Sequence, residues 1–186
     1  MTMQKLIGIL PLLTILLSCN DTNINRDSKL LDFGYFTIET PQSWTKVQVR
    51  GIDSYVGRIA IDNKDTLDFD LGWYSDDLSE YSEFKNFFGG KTYYINKYDT
   101  SAKLVDSSEL HKIVKSNISW DTIDGRRAKI LSPIHSGVGM TGIYIDSLWQ
   151  AGSDIDKFNL YGNNLKPENE KALLTTLKTL KFHQRK

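Results

Sequence analysis

Hydrophobic and polar positions alternate along Thr66–Tyr74 (TLDFDLGWY). Leu67, Phe69, Leu71 and Trp73 share one side, and Asp68, Asp70 and Gly72 share the other. A period of two marks a half-buried strand. Tyr55–Asp62 (YVGRIAID) precedes it across Asn63-Lys64-Asp65, so the two segments predict an antiparallel hairpin. Phe33–Thr40 (FGYFTIET) reads as a strand stopped by Pro41, with Trp44–Val49 pairing after the Pro41-Gln42-Ser43 turn. Ile118–Ile123 and Arg127–Leu131 flank Asp124-Gly125, a dipeptide that favours a two-residue hairpin turn. Lys91–Lys97, Met140–Leu148 and a short Phe158–Tyr161 complete the strand signals. Ser75–Gly90 is polar with Phe84, Phe87 and Phe88 and fits a helical turn. Ser107–Lys115 fits either a capped helix or the start of a strand.

The clear helical pattern runs from Pro167 to near Thr179. Pro167 suits a first turn, Glu168 and Glu170 suit its positive end, and Lys178 suits its C-terminus. Ala172, Leu173, Leu177 and Leu180 form one apolar face that can cover a sheet. Strands followed by such a helix predict an α+β class: an antiparallel β-sheet with a C-terminal amphipathic helix packed on it. The expected organisation is one domain over residues 30–186.

The N-terminus has a different pattern. Lys5 precedes Leu6–Leu17 (LIGILPLLTILL), an apolar run of 12 residues broken by Gly8, Pro11 and Thr14. A spanning helix needs roughly 20 apolar residues, whereas a secretory signal carries roughly 7–15. The run ends Leu16-Leu17-Ser18-Cys19, which resembles the lipobox of bacterial lipoproteins. That resemblance implies cleavage before Cys19 and acylation of its sulfur and new amino group. Two or more acyl chains give stable anchoring where one gives marginal binding. Residues 1–18 are thus expected to be a signal peptide. Residues 19–29 would be the lipidated Cys19 and a polar tether, reaching roughly 16–19 Å for a flexible ten-residue stretch.

Composition narrows the functional classes. Lys and Arg number 23, as do Asp and Glu; without residues 1–18 the balance is 22 against 23. A near-neutral chain offers no electrostatic case for nucleic acid. Cys19 is the sole cysteine, so its acylation would leave a domain without thiols or disulfides. A domain of this size does not need a disulfide to build a core.

Tyr35–Trp44 (YFTIETPQSW) and Leu173–Phe182 (LLTTLKTLKF) resemble the two ends of the PsbP-like family, which includes DcrB-type bacterial lipoproteins. The resemblance implies an antiparallel sheet sandwiched by helices (an αβα sandwich) and carries no catalytic residue with it. Gly51–Gly57 and Trp120–Gly125 are similar to segments of small lipoproteins common in Bacteroidota.

Candidate chemistry is sparse. Asp53, Ser54 and Tyr55, set between Gly51 and Gly57 and close to Arg50 and Arg58, form a possible binding segment. Asp53 and Ser54 also suit a side-chain-to-backbone turn. Asp68 and Asp70 lie on one strand side, as a solvated hairpin face or as paired carboxylates. Gly137–Gly142 matches GxGxxG, but a strand follows where a dinucleotide site needs a helix. His111, His135 and His183 lack the spacing of a metal motif. Of Trp44, Trp73, Trp120 and Trp149, the alternation places Trp73 in the core. Asp65-Thr66-Leu67, Asp121-Thr122-Ile123 and Asp146-Ser147-Leu148 match the Asp-Ser/Thr-aliphatic O-glycosylation motif of Bacteroidota envelope proteins.

The expectation is an envelope lipoprotein, held to the membrane through Cys19 on the periplasmic side or at the outer membrane. It would act as a non-enzymatic binding or accessory module with a protein partner in the envelope. No cofactor, metal or catalytic residue is expected. The alternatives are an immunity protein against a periplasmic toxin and a weak hydrolase using Ser54 or Asp68 and Asp70.

Overall fold

The computed structural model describes residues 27–85, 89–99 and 103–183. In chain order its strands are β1 (Ser28–Asp32), β2 (Phe36–Pro41), β3 (Thr45–Val47), β4 (Tyr55–Ala60), β5 (Thr66–Gly72), β6 (Tyr81–Lys85), β7 (Thr92–Asn96), β8 (Val105–Asp106), β9 (Ser116–Ile123), β10 (Arg126–Pro133), β11 (Met140–Ala151) and β12 (Asp154–Asn163). The helix α1 (Pro167–Thr176) follows, continued by a 3-10 turn, and then β13 (Lys181–Phe182). They form three antiparallel sheets: β1-β2-β13, the seven-stranded β3-β4-β5-β12-β11-β10-β9, and β6-β7-β8.

The β4–β5 hairpin forms where the alternation places it, with Ile59 opposite Leu67 and Arg58 opposite Asp68. Asp62 closes its turn, its Oδ1 accepting the N–H groups of Lys64 and Asp65 at 2.8 Å each. The β9–β10 turn puts Asp124 at φ 49° and Gly125 at φ 75°. Two successive positive φ values are what a two-residue turn matched to strand twist requires. Four readings change. Ser75–Gly90, expected as a helical turn, contains the strand β6. β3 pairs with β4 rather than β2. β12 extends over ten residues rather than four. Ser107–Lys115 contains only a 3-10 turn at Leu110–Lys112.

One side of the large sheet supplies Ile59, Leu67, Phe69, Leu71, Ile143, Ile145, Phe158 and Leu160 to the main core. Phe36, Ile38 and Phe182 of the β1-β2-β13 sheet, together with Leu173, Leu177 and Leu180, close it. Phe36 meets Phe69 and Phe158 edge-on at 5.0 and 4.9 Å.

This arrangement overturns the α+β expectation and with it the αβα sandwich. The structure is predominantly β. Its one short helix shares the covering layer with a second sheet, and among the described residues no helix covers the opposite side of the large sheet. That opposite side carries a smaller cluster of Leu78, Leu131 and Met140, packed against Tyr144 and Tyr161. Trp73 also departs from expectation and is 43% exposed. β5 ends at Gly72, whose carbonyl accepts the Ser75 N–H at 3.2 Å, so the turn breaks the alternation before Trp73. Cys19, the signal segment, most of the tether, Phe87 and Phe88 lie outside the described residues.

Candidate functional site

The alternation that sends Leu67, Phe69 and Leu71 into the core turns Asp68 and Asp70 to the opposite side of the large sheet. There β12 lies alongside, with Tyr161 opposite Asp68 and Asn159 opposite Asp70. Asn159 fixes the row from both ends. Its Oδ1 accepts the Asp70 N–H at 3.1 Å, and its Nδ2 donates to the Asp76 carbonyl at 2.9 Å. Asp76 belongs to the segment that follows β5. That segment folds over the sheet through Leu78, which is 1% exposed and held at φ 58°. Tyr98, just past β7, donates its hydroxyl to Asp76 Oδ1 at 3.4 Å. The result is an open cleft of about 320 Å³, lined by Asp68, Asp70, Asp76, Tyr98, Asn159 and Tyr161 among others. A hollow of about 400 Å³ shares Asp68 and Tyr161 with it and extends to Asn163 and Asn164.

The electrostatics of the cleft are unequal. Arg58 Nε donates to Asp68 at 2.6 Å. Lys97 Nζ lies 3.3 Å from Asp76 and 3.2 Å from Asp77. Asp70 has no such cation: burial raises its pKa, against the pull of the Ser54 and Ser75 hydroxyls. Its Oδ1 is buried without a hydrogen-bond partner among the described residues. Burial, reinforced by Asp76, pushes the Tyr98 phenol well above the ordinary range. Burial, reinforced by Asp68, also raises the pKa of Tyr161. Both phenols are therefore neutral donors near neutral pH, facing carboxylate and amide acceptors. Behind the cleft, Lys129 is 7% exposed and lies 3.9 Å from Asp77 and 5.3 Å from the Tyr144 ring centre.

The Gly51–Gly57 segment contributes less than its composition suggests. Asp53 is exposed in the turn before β4. Ser54 packs against Gly72 and reaches Asp70. Tyr55 donates to the Phe33 carbonyl at 2.8 Å and packs 4.8 Å from the Tyr35 ring, so its hydroxyl and ring both serve the fold. The cleft takes Val56 and Gly57 from this strand instead. Asp68 and Asp70 are brought together there as the alternation predicts. Tyr98, Asn159 and Tyr161 carry no local motif; the pairing of β5 with β12 reveals Asn159 and Tyr161, and the segment after β7 brings in Tyr98.

The remaining candidates are dispersed. Gly137-Val138-Gly139 is a turn joining β10 to β11, closed by a bridge between His135 and Val138. His111 Nδ1 lies 3.0 Å from the Ser108 carbonyl, and the His183 N–H donates to the Tyr35 carbonyl. No group of three metal-ligating side chains converges among the described residues. Trp44 is buried, Trp149 Nε1 donates to Asp156 at 2.8 Å, and Trp120 lies under Arg127, 3.8 Å from its guanidinium carbon. Of the three glycosylation-like triplets, Thr122 and Ser147 are exposed and Thr66 is half-buried.

The chain matches no family model and no curated protein sequence. No described helix is long and apolar enough to cross a membrane.

Proposed function

We propose that this chain is a lipid-anchored, non-enzymatic binding module of a bacterial cell envelope, similar in plan to small Bacteroidota lipoproteins. Leu16-Leu17-Ser18-Cys19 supports the anchor: two or three acyl chains on Cys19 hold the domain at a membrane. The Asp68–Tyr161 cleft supports a binding role and is the observation that carries the reading. Its neutral Tyr161 phenol donates and its amide and carboxylate oxygens accept, a combination suited to a small ligand rich in hydroxyl or amine groups. Two of its carboxylates already hold cations, Asp68 with Arg58 and Asp76 with Lys97. Nucleophilic chemistry at Ser54 would need a base within reach. The adjacent carboxyl is Asp70, whose unpaired oxygen is buried, and no histidine lines the cleft.

The test uses the full chain in its own envelope. Fatty-acid probe labelling should be lost in Cys19→Ser. Crosslinked capture on the wild-type chain should recover a ligand or partner that Tyr98→Ala/Tyr161→Ala releases. Labelling that survives Cys19→Ser would remove the anchor, and identical capture by both chains would remove the cleft.

A further inference from the structure

The large sheet has two outer edges, and they differ. β3 is three residues long and carries Lys46 at its centre, a short and charged edge that resists pairing. β9 is eight residues long (SNISWDTI), contains no lysine or proline, and exposes every residue from Asn117 to Thr122. No described residue pairs with its outer side.

Its open groups follow from the hairpin. The two-residue turn makes Ile123 and Arg126 a hydrogen-bonded pair, and such pairs alternate along an antiparallel ladder. Asn117, Ser119, Asp121 and Ile123 therefore bond to β10. Ser116, Ile118, Trp120 and Thr122 turn their N–H and C=O groups outward. Pro133, which has no N–H, stands opposite Ser116, as this phase requires.

Two of the outward N–H groups are already taken. The Ser116 N–H donates to Glu80 at 3.0 Å, and the Thr122 N–H donates to Asp121 Oδ1 at 2.7 Å. Ile118 and Trp120 remain, 55% and 52% exposed. The pattern is symmetric about Ser119, with open residues one step away on each side and occupied ones three steps away.

We infer that β9 is a homodimerisation edge, pairing antiparallel with β9 of a second copy across a twofold axis at Ser119. In this register each Ile118 faces the other copy's Trp120, an apolar cross-strand pair of the favoured aromatic and β-branched kind. The two copies exchange four backbone hydrogen bonds through the two open residues. Each Asn117 faces the other copy's Asp121, so amide meets carboxylate and no like charges are opposed. Self-complementarity of this kind defines a closed twofold contact. A register centred on Trp120 would instead need the Thr122 N–H that Asp121 holds. An edge contact of this size is weak in dilute solution, and confining both copies to one membrane raises their effective concentration.

Cysteine crosslinking of the full chain in membranes tests the register. Ser119 faces its own copy in a non-hydrogen-bonded pair, where Cα atoms sit about 4.5 Å apart, within disulfide range. Oxidised membranes carrying Ser119→Cys should give a covalent homodimer. Asn117→Cys alone should not, whereas co-expressed Asn117→Cys and Asp121→Cys chains should crosslink to each other. Trp120→Lys placed in the Ser119→Cys chain should cut the dimer yield about tenfold, with an unchanged melting temperature showing that the fold is intact. Equal crosslinking by Ser119→Cys and Asn117→Cys would overturn the register. A Ser119→Cys chain that stays monomeric, or crosslinks to a different protein, would overturn the homodimer.

Discussion

Asp65 caps a helix that lies 101 residues further along the chain: its Oδ2 accepts the Lys166 N–H at 2.7 Å, at the start of α1. The same oxygen accepts Asn169 Nδ2 at 2.8 Å, and Lys166 itself supplies no side-chain cap. The β4–β5 turn thereby holds the helix against the sheet. Asp65 is 4% exposed, so its loss leaves two half-buried donors without their acceptor. Asp65→Ala should lower the unfolding free energy by about 1–2 kcal/mol, the usual worth of a cap. Neighbouring Asp62→Ala should cost less, because three of its four bonds, to Lys64, Lys166 and Asn169, are exposed. Urea denaturation of the two variants decides the order.

The residues of that cap show where sequence reading reaches and where it stops. Asp62 and Asp65 are legible as turn residues, because turn chemistry is local. Asp65 as a helix cap is not, because the helix it serves is distant in sequence and near only after folding. The same limit explains the fold class. The apolar face of α1 is visible as Leu173 and Leu177, but β13 joins β2 across about 145 residues, Phe182 opposite Phe36, and no periodicity announces such a pairing. The local pattern therefore credits the helix with a layer that it shares. Trp73 departs for a different reason: the period of two ends with β5 at Gly72, one step before it. In the cleft, Asp68 and Asp70 are legible because their own strand alternates. Tyr161 and Tyr98 are brought to them by register and by a chain crossing.

Gly57 stands opposite Phe69 in the hairpin, and a Cβ on Gly57 would lie only 2.4 Å from two atoms of the Phe69 ring. The ring cannot easily move away, since Phe33 and Phe36 lie edge-on at 4.9 and 5.0 Å. Gly57→Ala should therefore destabilise by about 1–3 kcal/mol, the range for overpacking. Phe69→Leu alone should also destabilise, through the volume it removes. Combined, the two changes should cost less than their sum, a coupling that a double-mutant cycle in urea measures. Strict additivity would mean that the ring does not fill the glycine's space.

Asp77 links stability to pH. Burial works to raise its pKa, but the Ser79 hydroxyl and N–H, at 2.6 and 2.9 Å, together with Lys129 and Lys97, hold it down at about 2. An unfolded aspartate titrates near 3.9. A carboxyl whose folded pKa is depressed stabilises the native state above the unfolded pKa, and that stability fades as pH falls through the folded value. The window here is from about pH 4 to about pH 2. Asp77 has a side chain 47% exposed, so solvent screening reduces its contribution to about 1 kcal/mol. Asp77→Asn should thus be less stable than the wild type by a constant margin above about pH 5. The margin should shrink below about pH 4, as the wild type takes up the proton that the amide cannot. Urea titrations at stepped pH read this directly. A margin unchanged down to the lowest pH would show that Asp77 acts through the shape of its hydrogen bonds to Ser79 and not through its charge. Lys129 makes the charge reading specific: it is nearly buried beside Tyr144, and burial draws its pKa down against the pull of Asp77. Losing the Asp77 charge should therefore expose Lys129 to its desolvation cost. In Asp77→Asn, Lys129→Met should be less harmful than it is in the wild type.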